Sequence, residues 1–161
     1  MKINVKSKKS GVTLIELMVT VSLASFLLIL GYRGYGDMIS TETLKTGTQQ
    51  AAFAIKKARY YATSKGDITR INFPVGSNSY SITADGKVIT DNGRFDAMSG
   101  VLPENVTIST NSCNNLGFYV DGTPIDTNNQ PILTDCKIKL SYKGEEQLIT
   151  IQAETGNIID E

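Results

Sequence analysis

The sequence contains no histidine and no tryptophan among its 161 residues, and it contains only two cysteines. Histidine is the commonest general base and metal ligand, so its absence argues against most hydrolases and metal centres. Two cysteines cannot form a four-thiolate zinc site. Sixteen basic residues balance sixteen acidic ones, unlike the excess of positive charge in a nucleic-acid-binding domain. We therefore expect a protein that is not an enzyme and that needs no cofactor or metal.

The charge that is present is distributed unevenly at the N-terminus. The segment before Val12 carries Lys2, Lys6, Lys8 and Lys9 and no acidic residue, and no charged residue occurs from Leu17 to Tyr32. A helix over the apolar run from Val12 to Leu30 would be roughly 29 Å long, which matches the hydrocarbon core of a membrane. The pattern fits a signal peptide cleaved near Gly34-Tyr35-Gly36 or a signal anchor with its lysines in the cytoplasm. A third interpretation depends on Glu16.

Glu16 is the feature that the first two interpretations leave unexplained, because it lies within the apolar run. A carboxylate inside a membrane costs about 2.5–3.5 kcal/mol, and such residues are usually paired or functional. Cleavage before Val12 would create an α-amino group one helical turn from Glu16. The amine and the carboxylate could then neutralise each other, within one chain or between neighbouring chains.

The residues from Lys8 to Leu17, KKSGVTLIEL, resemble the class III signal of type IV pilins and type II secretion pseudopilins. The resemblance implies that a prepilin peptidase cleaves after Gly11 and methylates the new N-terminal residue, Val12. It also implies that Glu16 is the carboxylate used in filament assembly. Val12 departs from the phenylalanine that is usual at this position in the family.

The same resemblance implies a division of the chain and a location. Residues 1–11 would be a prepilin leader peptide, residues 12–34 a transmembrane and filament-core half-helix, and residues 35–161 an extracytoplasmic α+β pilin domain. The expected partners are prepilin peptidase, other pilins or pseudopilins, and the inner membrane before assembly. The expected location is a single-pass position in the inner membrane, followed by a pilus or pseudopilus filament.

A second helical pattern follows the apolar run, beyond the glycines Gly31, Gly34 and Gly36. Small and apolar residues recur with spacings of three and four, which indicates a helix face that covers a sheet: Leu44, Thr48, Ala51, Ile55, Ala58 and Ala62. Gly66-Asp67 is predicted to end this helix. The glycines favour either a weak point within one long helix or a short linker.

Short β-type runs separated by turn residues follow the predicted helix. They are Arg70–Phe73, Tyr80–Thr83, Lys87–Thr90, Val106–Ser109, Leu116–Val120, Cys136–Tyr142 and Gln147–Ala153. Asp85-Gly86 predicts one hairpin and the segment from Lys143 to Glu146 a second. The polar stretch from Thr123 to Thr134 predicts a surface loop. A long helix followed by an antiparallel sheet is the α+β class.

Three segments of this domain resemble the GspH/FimT group of minor pilins and minor pseudopilins. They are Ala58–Ala62 before a strand, Leu116–Gly122, and Ile149–Ile158 with its Thr-Gly-Asn-Ile ending. The resemblance implies a helix packed on two small sheets and a structural filament subunit. The alternative is a filament-associated binding module that contacts DNA or a surface.

Other candidate sites come from the residues themselves. Cys113 and Cys136 both follow the apolar helix, where an oxidising compartment would favour a disulfide. Lys56, Lys57 and Arg59, next to Tyr60 and Tyr61, form a basic-aromatic cluster that could contact DNA. Such a cluster is more often the solvated face of a helix, and the acidic C-terminal end argues against DNA.

Two acidic turns are the remaining metal candidates. Asp121-Gly122 and Asp126-Thr127-Asn128 place oxygen ligands close together, as calcium prefers. Their spacing does not match an EF-hand loop, so we expect turns without metal.

Overall fold

A computed structural model of the chain describes residues 12–84, 86–88 and 99–160, with backbone only for 31–37, 87 and 88. It divides the chain into two compact units, Met1–Met38 and Ile39–Glu161. The predicted leader, including the cleavage residue Gly11, lies outside the described residues. So do Asp85 of the predicted hairpin turn and the last two residues, Ile89 and Thr90, of the predicted strand that follows it. The second unit begins four residues after the predicted boundary at residue 35.

The long helix α1 runs from Leu14 to Lys65. Its backbone is helical through Gly31, Gly34 and Gly36, so the helix continues where a linker was the alternative. The segment between the apolar run and the small-residue stripe is therefore helical.

In the first unit, the described side chains from Val12 to Leu30 are all exposed. The hydroxyl groups of this segment bond to carbonyls of the helix itself: Ser22 donates to Met18 and Ser25 to Val21, both at 2.8 Å. Such bonds satisfy polar groups that apolar surroundings would leave without partners. Within the described residues, no helix meets the combined length and hydropathy required for a membrane span.

In the second unit, the predicted stripe of α1 is the buried one. Leu44, Thr48, Ala51, Ile55, Ala58 and Ala62 are all almost completely inaccessible to solvent. The small side chains let the helix approach the sheets closely. The helix ends as predicted, because Gly66 adopts a φ of 75° and its N–H donates to the Ala62 carbonyl at 3.0 Å.

A six-stranded antiparallel sheet follows the helix. Its strands are β1 (Thr69–Asn72), β2 (Ser79–Ala84), β3 (Lys87–Val88), β4 (Gly100–Val101), β6 (Leu116–Phe118) and β7 (Pro124–Ile125). The order is β3-β2-β1-β6-β7, and β4 also pairs with β2. The β2–β3 pairing confirms the first predicted hairpin.

A four-stranded antiparallel sheet completes the second unit. Its strands are β5 (Thr107–Asn111), β8 (Cys136–Tyr142), β9 (Glu145–Ile151) and β10 (Ile158–Asp160), in the order β10-β9-β8-β5. Alternate residues of β8 face the core, namely Cys136, Ile138 and Leu140. The second predicted hairpin is confirmed, with a tighter turn at Lys143-Gly144. The α+β prediction is therefore confirmed: a helix packs on two antiparallel sheets.

Candidate functional site

Glu16 lies in the first turn of α1 and is exposed. Thr13 immediately precedes the helix and caps its first turn, because its hydroxyl oxygen accepts the backbone N–H of Glu16 at 3.3 Å. The positive end of the helix dipole favours a carboxylate in this turn. The exposed neighbours Leu14, Ile15 and Leu17 are apolar. In an apolar environment, the Glu16 carboxylate would therefore need a cation as its partner.

Cys113 and Cys136 form the predicted disulfide, with their Cα atoms 5.5 Å apart. The bridge joins the chain just after β5 to the first residue of β8. Ser112 reinforces this junction, because its N–H donates to the Lys137 carbonyl at 2.9 Å and its hydroxyl accepts the Lys137 N–H at 2.8 Å. The disulfide and these bonds close a loop that contains the whole segment from β6 to the start of β8.

Reduction of this disulfide is expected to lower the free energy of unfolding by about 3 kcal/mol, the loop-closure value for a 23-residue separation. The measurement is urea unfolding of the protein with and without a reductant. A double Cys113→Ser, Cys136→Ala variant serves as the control, because its stability should not respond to the reductant. Equal stability of the reduced and oxidised wild-type protein would contradict the expectation.

Arg59 connects α1 to the turn that precedes β10. Its two terminal nitrogens donate to the carbonyls of Thr155 and Gly156, both at 2.9 Å. Gly122 lies against the same guanidinium: a Cβ there would come within 3.0 Å of Arg59 Nε, and its φ of 86° favours glycine. Arg59 therefore has a structural role in holding two turns together.

This result bears on the predicted basic-aromatic cluster. Lys56 is exposed, Lys57 is half-buried, and Arg59 is directed to the turn at Thr155 and Gly156. The three side chains lie on one helix, but the guanidinium nitrogens of Arg59 are engaged within the domain. Contact with DNA by this cluster stays an untested prediction.

Arg70 holds the loop from Asp126 to Gln130. Its side chain extends from β1 and donates to the carbonyls of Asn115 at 3.2 Å and Asp126 at 3.0 Å. It also donates to Asn129 Oδ1. Gly117 lies opposite Arg70 in β6, and a Cβ at this position would approach Arg70 Nη1 to 3.2 Å. The glycine leaves the space through which Arg70 reaches the loop.

The Asp126 carboxylate also stabilises this loop, by hydrogen bonds to the loop's own backbone. Its Oδ1 accepts the backbone N–H groups of Asn128 at 2.8 Å and Gln130 at 2.9 Å. The loop considered as a calcium candidate is thus closed by its own amides and by the Arg70 guanidinium. Within the described residues, no group of three or more metal-ligating side chains comes together.

Replacing Arg70 with glutamine is expected to loosen this loop without unfolding the domain. The variant loses the charged donors to the Asp126 carbonyl and its neighbours in the loop. Amide exchange at Asn128 and Gln130 should therefore rise about tenfold, from the loss of a charge-assisted contact of about 1.5 kcal/mol. Hydrogen exchange followed by NMR measures this change. Lys139→Gln is the control, since Lys139 makes an exposed ion pair with Glu146 outside the loop. Unchanged exchange at both amides would show that Arg70 does not hold the loop.

The acidic turns at Asp121 and Asp126 also predict that the stability of the fold depends on pH. The pKa of Asp126 is lowered, first by the hydrogen bond from the Gln130 N–H, and the pKa of Asp121 is lowered, first by the one from the Thr123 N–H. A carboxylate with a lowered folded-state pKa stabilises the fold above its unfolded-state pKa, and this contribution is lost as the pH falls through the folded-state pKa.

NMR titration of the Gln130 and Thr123 amides should therefore show midpoints below about 3.9, the ordinary value for aspartate. Midpoints for Asp121 and Asp126 at or above the ordinary value would contradict the turn geometry.

Comparison with known proteins agrees with both parts of the chain. The prokaryotic N-terminal methylation motif matches residues 6–32. The chain therefore carries this motif at its N-terminus. No curated protein sequence matches the chain significantly.

Two solved structures illustrate the likeness of the fold. The minor pseudopilin EpsH from the type 2 secretion system of Vibrio cholerae matches with a TM-score of 0.54 and 16% identity, over 73% of this chain and 95% of that one. The type IV minor pilin FimU of Pseudomonas aeruginosa matches with a TM-score of 0.55 and 16% identity, over 75% and 90%. The matched proteins are pilin and pseudopilin subunits.

Proposed function

We propose that the protein is a minor pilin or minor pseudopilin, a structural subunit of a type IV pilus or type II secretion pseudopilus. The observation that carries the proposal is the combination of two features in one chain. A methylation motif covers residues 6–32, and the helix that begins within it continues into a domain with the fold of minor pilins and pseudopilins. Neither a plain signal peptide nor a plain anchor accounts for both features.

Processing is the first step of the proposed function. Prepilin peptidase cleaves after Gly11 and methylates the amino group of Val12. The lysines before Gly11 keep that end of the chain on the cytoplasmic side, in agreement with the positive-inside rule. The domain from residue 35 onward is then extracytoplasmic, a location that supports the Cys113–Cys136 disulfide.

The apolar half of α1 holds the subunit in the inner membrane and later packs in the filament core. Support comes from the exposed apolar side chains from Val12 to Leu30 and from the uncharged run that continues to Tyr32. In these surroundings the Glu16 carboxylate pairs with the amino group of Val12 in a neighbouring subunit. The pairing removes the cost of an isolated charge and fixes the position of one helix against the next.

The domain carries contacts to other subunits, and we assign it no catalytic role. The alternative is a binding module with DNA or a surface as its ligand, and contact with DNA would depend on Lys56, Lys57 and Arg59. The engagement of Arg59 within the domain makes the structural role the better supported of the two.

The proposal is tested by locating the full chain in cells that assemble the filament, with and without prepilin peptidase. A C-terminally tagged protein should appear in the sheared filament fraction only when the peptidase is present. Without the peptidase it should stay in the membrane fraction. Failure to reach filaments in peptidase-containing cells that make normal filaments would overturn the proposal.

A further inference from the structure

The first turn of α1 is capped by Thr13, the residue directly before the helix. Its carbonyl accepts the Leu17 N–H at 3.2 Å, and its hydroxyl accepts the Glu16 N–H at 3.3 Å. Val12 and Thr13 are not helical, so Thr13 is the N-cap residue and Glu16 is the third residue of the helix. The hydroxyl therefore satisfies one of the backbone donors that a helix leaves without partners at its N-terminus.

The sequence of this turn has the pattern of a capping box, a threonine followed three residues later by a glutamate. In that motif the hydroxyl accepts the glutamate N–H, and the glutamate carboxylate turns back to the N–H of the capping residue. The structure shows the first of these two bonds. The Glu16 side chain is exposed, and its Cα–Cβ bond is tilted towards the helix N-terminus, as in every α-helix. The carboxylate thus leans towards the end of the helix at which processing would create the Val12 amino group.

Thr13 and Glu16 are also the only residues from Val12 to Leu17 whose side chains can accept a hydrogen bond, because the others are apolar. The first turn of a helix has N–H groups without backbone partners, and each of them is costly in an apolar environment. Without the hydroxyl, the carboxylate would be the one acceptor left among these side chains, and the helix dipole would favour it there. Glu16 would then bind its own helix instead of a neighbouring subunit.

We propose that Thr13 is a positioning residue for filament assembly. Its hydroxyl caps α1 and leaves the Glu16 carboxylate free to pair with the amino group of Val12 in the next subunit. This role rests on the proposed function and adds to it a residue that acts through Glu16. Thr13 lies within the methylation motif, and the cap gives it a physical role that is separate from cleavage.

The test measures the share of full-length, C-terminally tagged protein that reaches sheared filaments, for variants made in filament-forming cells. Thr13→Val exchanges the hydroxyl for a methyl group of similar size, so it keeps the shape and removes the acceptor. Thr13→Asn changes the shape and keeps a good N-cap. Thr20→Val is the matched control, because the Thr20 hydroxyl lies in the same apolar run but donates to the Leu17 carbonyl at 2.9 Å, away from the helix end. The intact mass shows whether each variant is cleaved and methylated.

The proposal predicts that Thr13→Val is processed normally and that its incorporation falls about fivefold, the equilibrium effect of losing a typical N-cap. Thr13→Asn and Thr20→Val should stay within about twofold of the wild-type chain, since both retain an N-cap. Wild-type incorporation of Thr13→Val, or an equal loss in Thr13→Asn or Thr20→Val, would overturn the role of the cap and leave the proposed function standing.

Two other outcomes also contradict the proposal. Failure of Thr13→Val to be cleaved would overturn it, because Thr13 would then act in recognition by the peptidase. Absence of the wild-type tagged chain from otherwise normal filaments would overturn the proposed function, and the role of Thr13 with it.

Discussion

Replacement of Glu16 with alanine is expected to leave processing unchanged and to reduce incorporation into filaments at least about tenfold. The carboxylate lies in the first turn of α1, four residues after Val12 and among exposed apolar side chains. An ion pair there compensates for a burial cost of about 2.5–3.5 kcal/mol, and without the carboxylate the amino group of the next Val12 has no partner in the apolar core. The measurement compares the variant in sheared filaments with the variant retained in membranes.

Two further variants test whether the charge of Glu16, at this position, is what assembly requires. Glu16→Gln keeps the size of the side chain and should also assemble poorly, because an amide cannot neutralise an ammonium group. Glu42→Ala removes an exposed glutamate from the same helix in the second unit and should assemble normally. Wild-type incorporation of Glu16→Ala would eliminate the proposed pairing.

The largest expected effect on folding is that of Phe118→Ala. Phe118 is fully buried in β6, where it belongs to the core between the helix and the sheets. Truncation of a buried phenylalanine should lower the free energy of unfolding by about 3–5 kcal/mol, the range for aromatic side chains in well-packed cores. Chemical unfolding of the full chain, solubilised in detergent and followed by tyrosine fluorescence, measures this loss.

Phe53→Ala is the matched control, since it removes the same side chain from an exposed position on α1. Its effect on stability should stay within about 0.5 kcal/mol. Equal destabilisation by the two substitutions would mean that the core assignment is wrong.

The elements that could be predicted are those governed by neighbouring residues. The buried stripe of α1 follows from spacings of three and four, and all six of its predicted members are buried. The two hairpins follow from turn residues between β-type runs, and the disulfide from there being one cysteine pair. The stripe and the hairpins can each be recognised within a short segment, and two cysteines allow only one disulfide.

The elements that were missed depend on distant residues. β4 and β7 have two residues each and β10 has three, so none carries a periodic pattern of its own. β10 exists because Ile158 and Ile159 pair with the last residues of β9. No local rule indicates such a pairing.

The roles of the arginines could not be predicted for the same reason. Arg59 looked like one member of a basic cluster, but its partners are 96 and 97 residues further along the chain. Arg70 reaches a loop 56 residues away through the space left by Gly117. The sequence therefore identified the N-terminal motif well and indicated little about how the loops of the domain are held.

The intact mass of the protein recovered from membranes tests the central claim most directly. Cells with and without prepilin peptidase are compared. The account predicts a product that begins at Val12 and is one methyl group heavier than the bare polypeptide when the peptidase is present, and a longer chain that retains its leader when it is absent. A product that begins near Asp37, or a mass that does not depend on the peptidase, would contradict the assignment to the pilin-like filament subunits.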